Sequence, residues 1–220
     1  MMQHAPLFIV LLPVSAALLC MLFSRMQKNL GSWIVIGSIA AAFMSAVTVL
    51  QQVIADGGKP IHYWMGNWQP PLGIEFVIDP ISGVLAVLIT FISLLGSIYS
   101  LPFVKEEGWL HIGGYYTLYG LMTVGMCGMV ITGDVFNLYV FLEVMSLSGY
   151  GLIALGGKKS MLAAFRYLLI GTIGASLYLL GVGYMYALTG TLNMADMAVR
   201  AAQFLDYPIF ALAVACFVIG

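Results

Sequence analysis

Six predominantly apolar stretches of about twenty residues or more recur along this chain, and a seventh begins before its end. A helix needs about 20 mostly apolar residues to cross a bilayer, so each stretch is long enough to span. The pattern places helices over 5–24, 32–54, 80–100, 112–132, 134–155 and 161–188, with a seventh from about 207 onward. Of the 220 residues, 62% are hydrophobic and 8% charged. A soluble domain carries about 25% charged residues, so this chain cannot clothe a globule in charge. The expected fold is all-α: a polytopic transmembrane bundle of about seven helices, with no room for a soluble domain. The first run is too long for a signal h-region. It also lacks a preceding basic stretch and a small-residue cleavage site, so it reads as a retained helix.

Net charge is −1, which excludes a polybasic nucleic-acid binder. Cys20, Cys127 and Cys216 lie scattered inside apolar runs, as packing residues rather than disulfide or metal partners. Basic residues in the loops set orientation. Arg25, Lys28, Lys105, Lys158 and Lys159 fall on one side, Lys59 and Arg200 on the other. The richer side is expected in the cytoplasm and the N-terminus outside. The one long connection, 55–79, holds His62, Tyr63, Trp64 and Trp68, which suits an outer interfacial belt. For His62, an interfacial residue outweighs a proton acceptor at a pathway mouth. His4 and His111 fall at helix ends and receive no role.

The fifth run carries the chemistry. Glu143 falls about ten residues from either end of it, roughly 15 Å deep. An ionisable group at that depth is costly, and by default it marks an ion or proton path. Tyr139, Ser146 and Tyr150 stand four, three and seven residues away, on the same helix face. Such a stripe must face protein or a hydrated cavity. Burial raises a carboxyl pKa and a nearby cation lowers it. A buried Glu whose partner can move away therefore takes up and releases a proton. A static ion pair, or a neutral Glu held by hydrogen bonds, is the blander alternative.

Arg166 is the second embedded charge, about six residues into its run and roughly 9 Å from the boundary. It either snorkels to the headgroups or joins a relay with Glu143. Asp134 and Asn137 open the fifth helix, where an acid caps the positive N-terminus; cation entry is the sharper reading. Asp79, before Pro80, invites the same capping argument. Small residues at Gly125, Gly128, Gly171, Gly174, Gly181 and Gly183 let membrane helices approach closely. The sequence offers no phosphate loop, nucleophile–base constellation, haem pair or flavin fingerprint. No cofactor, no metal and no catalytic or redox site of its own is expected.

The run Gly133-Asp134-Val135-Phe136-Asn137-Leu138-Tyr139-Val140-Phe141-Leu142-Glu143 resembles the fifth-helix signature of the antiporter-like membrane subunits. These include the D-type component of multisubunit Na⁺/H⁺ (Mrp-type) antiporters and the proton-pumping membrane subunits of complex I and membrane-bound hydrogenases. The stretch Pro71 to Ser82 resembles the family's entry to the third helix. Phe165-Arg166-Tyr167 and Leu188 to Met194 resemble its sixth helix and exit. The likeness runs from about Gly66 onward and is nearest to the D-type antiporter branch.

The resemblance implies a fourteen-helix inverted-repeat fold, of which this is the N-terminal half. Residues 1–110 would form three N-terminal helices, and 111–220 the first part of a five-helix repeat, cut within its seventh helix. It implies that Glu143 pairs with a lysine on the seventh helix and that Arg166 replaces a lysine common in relatives. The chain stops before that lysine, so it is expected to be a fragment or to be completed by a second chain. The function implied is H⁺ translocation, with Na⁺ exchange left open, beside other membrane subunits in a prokaryotic inner membrane. Two alternatives stand: a membrane-arm subunit of a complex I-like or hydrogenase redox complex, and a non-transporting structural paralogue.

Overall fold

The computed structural model describes residues 4–27, 30–104 and 109–220. Its helices are α1 (Ala5–Met26), α2 (Leu30–Ala55), α3 (Pro80–Val104), α4 (Trp109–Ile131), α5 (Val135–Ala154), α6 (Lys158–Thr189), α7 (Met194–Ala201) and α8 (Pro208–Ile219). Among the described residues six of these, α1 to α6, are long and apolar enough to cross a membrane. The protein is a membrane-embedded, multi-pass helix bundle, as the apolar runs require. Lys28 and Lys105, used above for orientation, lie outside the described residues.

Consecutive helices pack as neighbours: α1 on α2, α2 on α3, α4 on α5 and α5 on α6. In addition α4 returns against α1, and α8 against α6. Short connections force this up-and-down order. Two apolar clusters fill the α1–α4 block, one holding Ile9, Val49 and Phe76, the other Val35, Ile39 and Tyr116. A third joins α6, α7 and α8 around Val182, Met197 and Ala213. Buried hydroxyls are satisfied across helices. Tyr116 donates to the Ser97 carbonyl at 3.1 Å and Tyr119 to that of Ser93 at 3.0 Å.

The glycines of α4 do what their spacing suggests. A Cβ on Gly125 would stand 2.6 Å from the Met145 backbone nitrogen, and one on Gly128 would strike the Phe141 ring. Neither position admits a side chain, so α4 and α5 meet almost backbone to backbone. Gly181 likewise approaches Ala213 and Cys216 of α8. Gly183 does not follow the pattern, because open space surrounds it.

The sequence reading missed two elements. The connection 55–79 is not irregular: β1 (Ile61–Trp64) and β2 (Glu75–Ile78) pair antiparallel, Ile61 opposite Ile78 and Trp64 opposite Glu75. Phe76 and Ile78 are 1% and 0% exposed and plug the end of the α1–α4 core. A four-residue strand is too short to show a period, which is why it read as loop. The other is α7, eight residues capped by the Asn193 side chain, which accepts from the Asp196 N–H. It is too short to span. The run that begins near 207 is α8, with Pro208 in its first turn.

The antiparallel order gives the bundle two unlike ends. The β-hairpin, the α4–α5 junction, the α6–α7 link and His4 share one end. The α5–α6 connection, with Lys158 and Lys159, stands at the other.

Candidate functional site

The α4–α5 junction lies between two other segments, and backbone bonds tie all three. Phe76 and Thr132 form a one-residue bridge, as do Asp134 and Asn193. The Gly133 N–H donates to the Glu75 carbonyl at 3.0 Å. The Val135 N–H donates to Leu192 and the Met194 N–H to Gly133, both at 2.9 Å. The start of α5 is thus held on one side by β2 and on the other by the α6–α7 link. Any side chain on α5 inherits that fixed depth.

Asp134 caps α5: its Oδ1 accepts from the Asn137 N–H at 2.7 Å. The Asn137 amide in turn donates to Thr132 Oγ1 at 3.0 Å. Both residues are buried. Burial pushes the Asp134 carboxyl up, and the hydrogen bond from Asn137 pulls it partly back. Asp79 makes the simpler cap. Its Oδ1 accepts from the Ser82 N–H at 2.7 Å while Ser82 Oγ accepts from the Asp79 N–H at 2.8 Å. The Ser82 N–H holds the Asp79 carboxyl below its ordinary range.

Glu143 lies eight residues into α5, about 12 Å from its start. It is half-buried, as are Tyr139 and Ser146. The Tyr139 phenol is near enough to interact with the Glu143 carboxylate. One turn or two onward, Ser146 and the buried Tyr150 line a cavity of about 430 Å³ with Gly171 and Gly174 of α6. The Tyr150 hydroxyl occupies the place a Gly171 side chain would need. The expected stripe therefore exists. Tyr139 lies beside the acid, and Ser146 and Tyr150 open onto the cavity between α5 and α6.

Arg166 is not brought to Glu143. It is exposed on α6, eight residues from that helix's start, and among the described residues no ion pair includes it. Its neighbour Tyr167 reaches toward α5 instead, edge-on to Tyr150 at 4.7 Å between ring centres.

The residue that sequence reasoning passed over is Glu75. It is 5% exposed. Its Oε1 accepts from Asn193 Nδ2 at 2.6 Å, across 118 positions of sequence. Its Oε2 lies 3.2 Å from His62 Nδ1, whose side chain is 50% exposed. The only local signal was an acid inside the apolar run Ile74 to Ile78.

Known proteins resemble this chain in sequence and fold. Residues 132–220 match the family described as "NADH:quinone oxidoreductase/Mrp antiporter, TM". The whole chain is 43% identical to the N subunit of the NADH-quinone oxidoreductase of Desulforudis audaxviator, covering 44% of that protein. The chain is a relative of the antiporter-like membrane subunits. It is 31% identical over 206 residues to the D subunit of the Na(+)/H(+) antiporter of Alkalihalophilus pseudofirmus, covering 92% of this chain and 40% of the relative. Among solved structures, a chain of the membrane-bound sulfane sulfur reductase, an archaeal respiratory membrane complex, superposes with a TM-score of 0.91. That chain is 30% identical, and the superposition covers 99% of this chain and 44% of that one. The chain thus spans less than half the length of the curated relatives it matches.

Proposed function

We propose that the chain is part of an ion-translocating membrane subunit that moves H⁺ within a multisubunit cation/proton antiporter, with Na⁺ as the candidate counter-ion. The observation that carries this is Glu143: an acid about 12 Å into a membrane-spanning helix, beside Tyr139, on a helix fixed at its start by two other segments. An ionisable group at that depth in a membrane helix by default marks an ion or proton path. Glu143 is the proton-binding group. Tyr139, Ser146 and Tyr150 supply hydrogen-bond sites along α5, and Asp134 with Asn137 receives ions at the hairpin end. Arg166 acts as a relay cation, a role that its exposed position on α6 leaves to be tested separately. In this reading the hairpin end and N-terminus face outward, and the protein sits in a prokaryotic inner membrane beside other membrane subunits. The lysines at the opposite end support that orientation.

Replacing Glu143 by Gln keeps shape and removes charge. In membrane vesicles holding the full-length subunit in its complex, exchange driven by a pH gradient should cease while the complex still assembles. Normal exchange in that variant would refute the reading.

A second reading is favoured by one observation: identity is higher to the NADH-quinone oxidoreductase relative, 43%, than to the Na(+)/H(+) antiporter relative, 31%. Here the same Glu143 chemistry belongs to the membrane arm of a redox complex, driven by electron transfer in partner subunits. Purification of the intact complex decides between them. Iron–sulfur, nickel or flavin proteins in it favour the redox arm, and small membrane subunits alone favour the antiporter.

A further inference from the structure

We propose that His62, Glu75 and Asp134 form the mouth of the proton route to Glu143, with Tyr178 and Tyr139 as the hydroxyl steps between. This rests on Glu143 being the proton-binding acid.

Glu75 is more than a strand residue. A buried carboxylate is kept only where its partners compensate it, and those partners have an order. One oxygen faces inward to the Asn193 amide, itself buried; the other faces the half-exposed His62 ring. A staple between hairpin and α6–α7 link needs only the first contact. The second connects a buried acid to solvent through a ring whose two nitrogens can accept a proton on one side and donate one on the other. Two other groups at this end, Arg200 and His4, already have partners. Arg200 is paired with Asp196 at 2.8 Å and also donates to the Thr189 carbonyl. His4 is engaged by the Tyr63 hydroxyl at 3.0 Å.

From Glu75 the polar groups continue inward. Its backbone holds Gly133, so Asp134 is the next residue along. Asp134 faces Asn193 across the one-residue bridge and lies within electrostatic reach of Tyr178. The Tyr178 hydroxyl donates to the Val135 carbonyl at 3.5 Å. Its ring lies parallel to that of Tyr139, 6.4 Å between centres and 8° between planes. Tyr139 in turn adjoins Glu143. The file thus begins in solvent and ends at the mid-span acid.

The proton balance is simple. Hydronium on the hairpin side gives its proton to the His62 ring and becomes water, while the ring passes its Nδ1 proton to Glu75 Oε2 and is left a neutral imidazole. Glu75, now a carboxylic acid, hands the proton through water to Asp134 and becomes a carboxylate again. Each tyrosine hydroxyl accepts one proton and releases its own until Glu143 is protonated.

The test uses the full-length subunit in its complex in vesicles. Glu75→Gln keeps an oxygen for Asn193 but cannot carry a proton. It should slow exchange roughly 100-fold, the low end for a positioned proton-transfer group, with assembly intact on native gels. Glu75→Asp should recover part of the rate. His62→Gln and Tyr178→Phe should each slow exchange without disturbing assembly. Wild-type exchange in Glu75→Gln, with loss of the assembled complex only in Glu75→Ala, would overturn the proposal and leave Glu75 a staple. Glu143→Gln separates the two claims. If that variant exchanges normally, the underlying reading fails. If it is dead while Glu75→Gln and His62→Gln are unchanged, only the route fails.

Discussion

Two acids in this chain are handled in opposite ways. Glu75, at the hairpin end, is almost wholly buried and grips two side chains at 2.6 and 3.2 Å. Glu143, in mid-span, is half-buried and its neighbour is Tyr139 on its own helix. The surroundings differ in the same sense. Around Glu75 three segments are laced by backbone hydrogen bonds, whereas Glu143 stands near a cavity lined by Ser146 and Tyr150. A carboxylate with fixed partners orders the fold around it. A carboxylate held by fewer partners can change them, and a change of partner is what couples a proton to another charge.

If this contrast is right, changes at Glu143 should alter transport and spare stability, and changes in the glycine seam between α4 and α5 should do the reverse. The largest effect belongs to Glu143→Gln: at least about 100-fold less exchange, with an unchanged melting temperature for the solubilised complex. A large fall in melting temperature instead would make Glu143 structural and erase the contrast. Next comes Gly125→Leu, which forces a side chain into the Met145 backbone and should cost about 1–3 kcal/mol by overpacking. Thermal denaturation in detergent reads it, and the protein that remains folded should exchange at a normal rate.

Smaller again is Asp79→Ala, which removes the α3 cap and should cost about 1 kcal/mol. Its pH dependence has a definite sign. The folded Asp79 pKa is lowered, so the cap's contribution is complete above the ordinary value, about 3.9, and is lost as pH falls through the lower folded value. Asp79→Asn, which caps without titrating, should flatten that acid limb in a melting-temperature series. The smallest effect is Gly183→Ala: in open space within α6 it should stabilise by about 0.5–1 kcal/mol. A destabilisation there would mean the open side of α6 is covered in the intact complex.

Much of the site was readable in advance because depth in a membrane helix is a matter of counting. Glu143 lies within a helix whose expected span, 134–155, differs by one residue at each end from α5 (Val135–Ala154). Tyr139, Ser146 and Tyr150 fall on its face for the same reason. The cap at Asp79 was equally local. Arg166 was not settled by counting, because depth says nothing about azimuth: the ring of Tyr167 meets Tyr150 of α5, while Arg166 next to it is exposed.

What the sequence determined by itself was the set of membrane helices, their lengths and the level of the mid-span acid. These depend on hydropathy and a fixed rise per residue, both properties of contiguous chain. What only the tertiary structure decided was the partnership of Glu75 with His62 and Asn193 and the capture of the α5 start between β2 and the α6–α7 link. Those depend on which segments meet at one end of the bundle. A contact between residues 75 and 193 leaves no periodic trace in either segment.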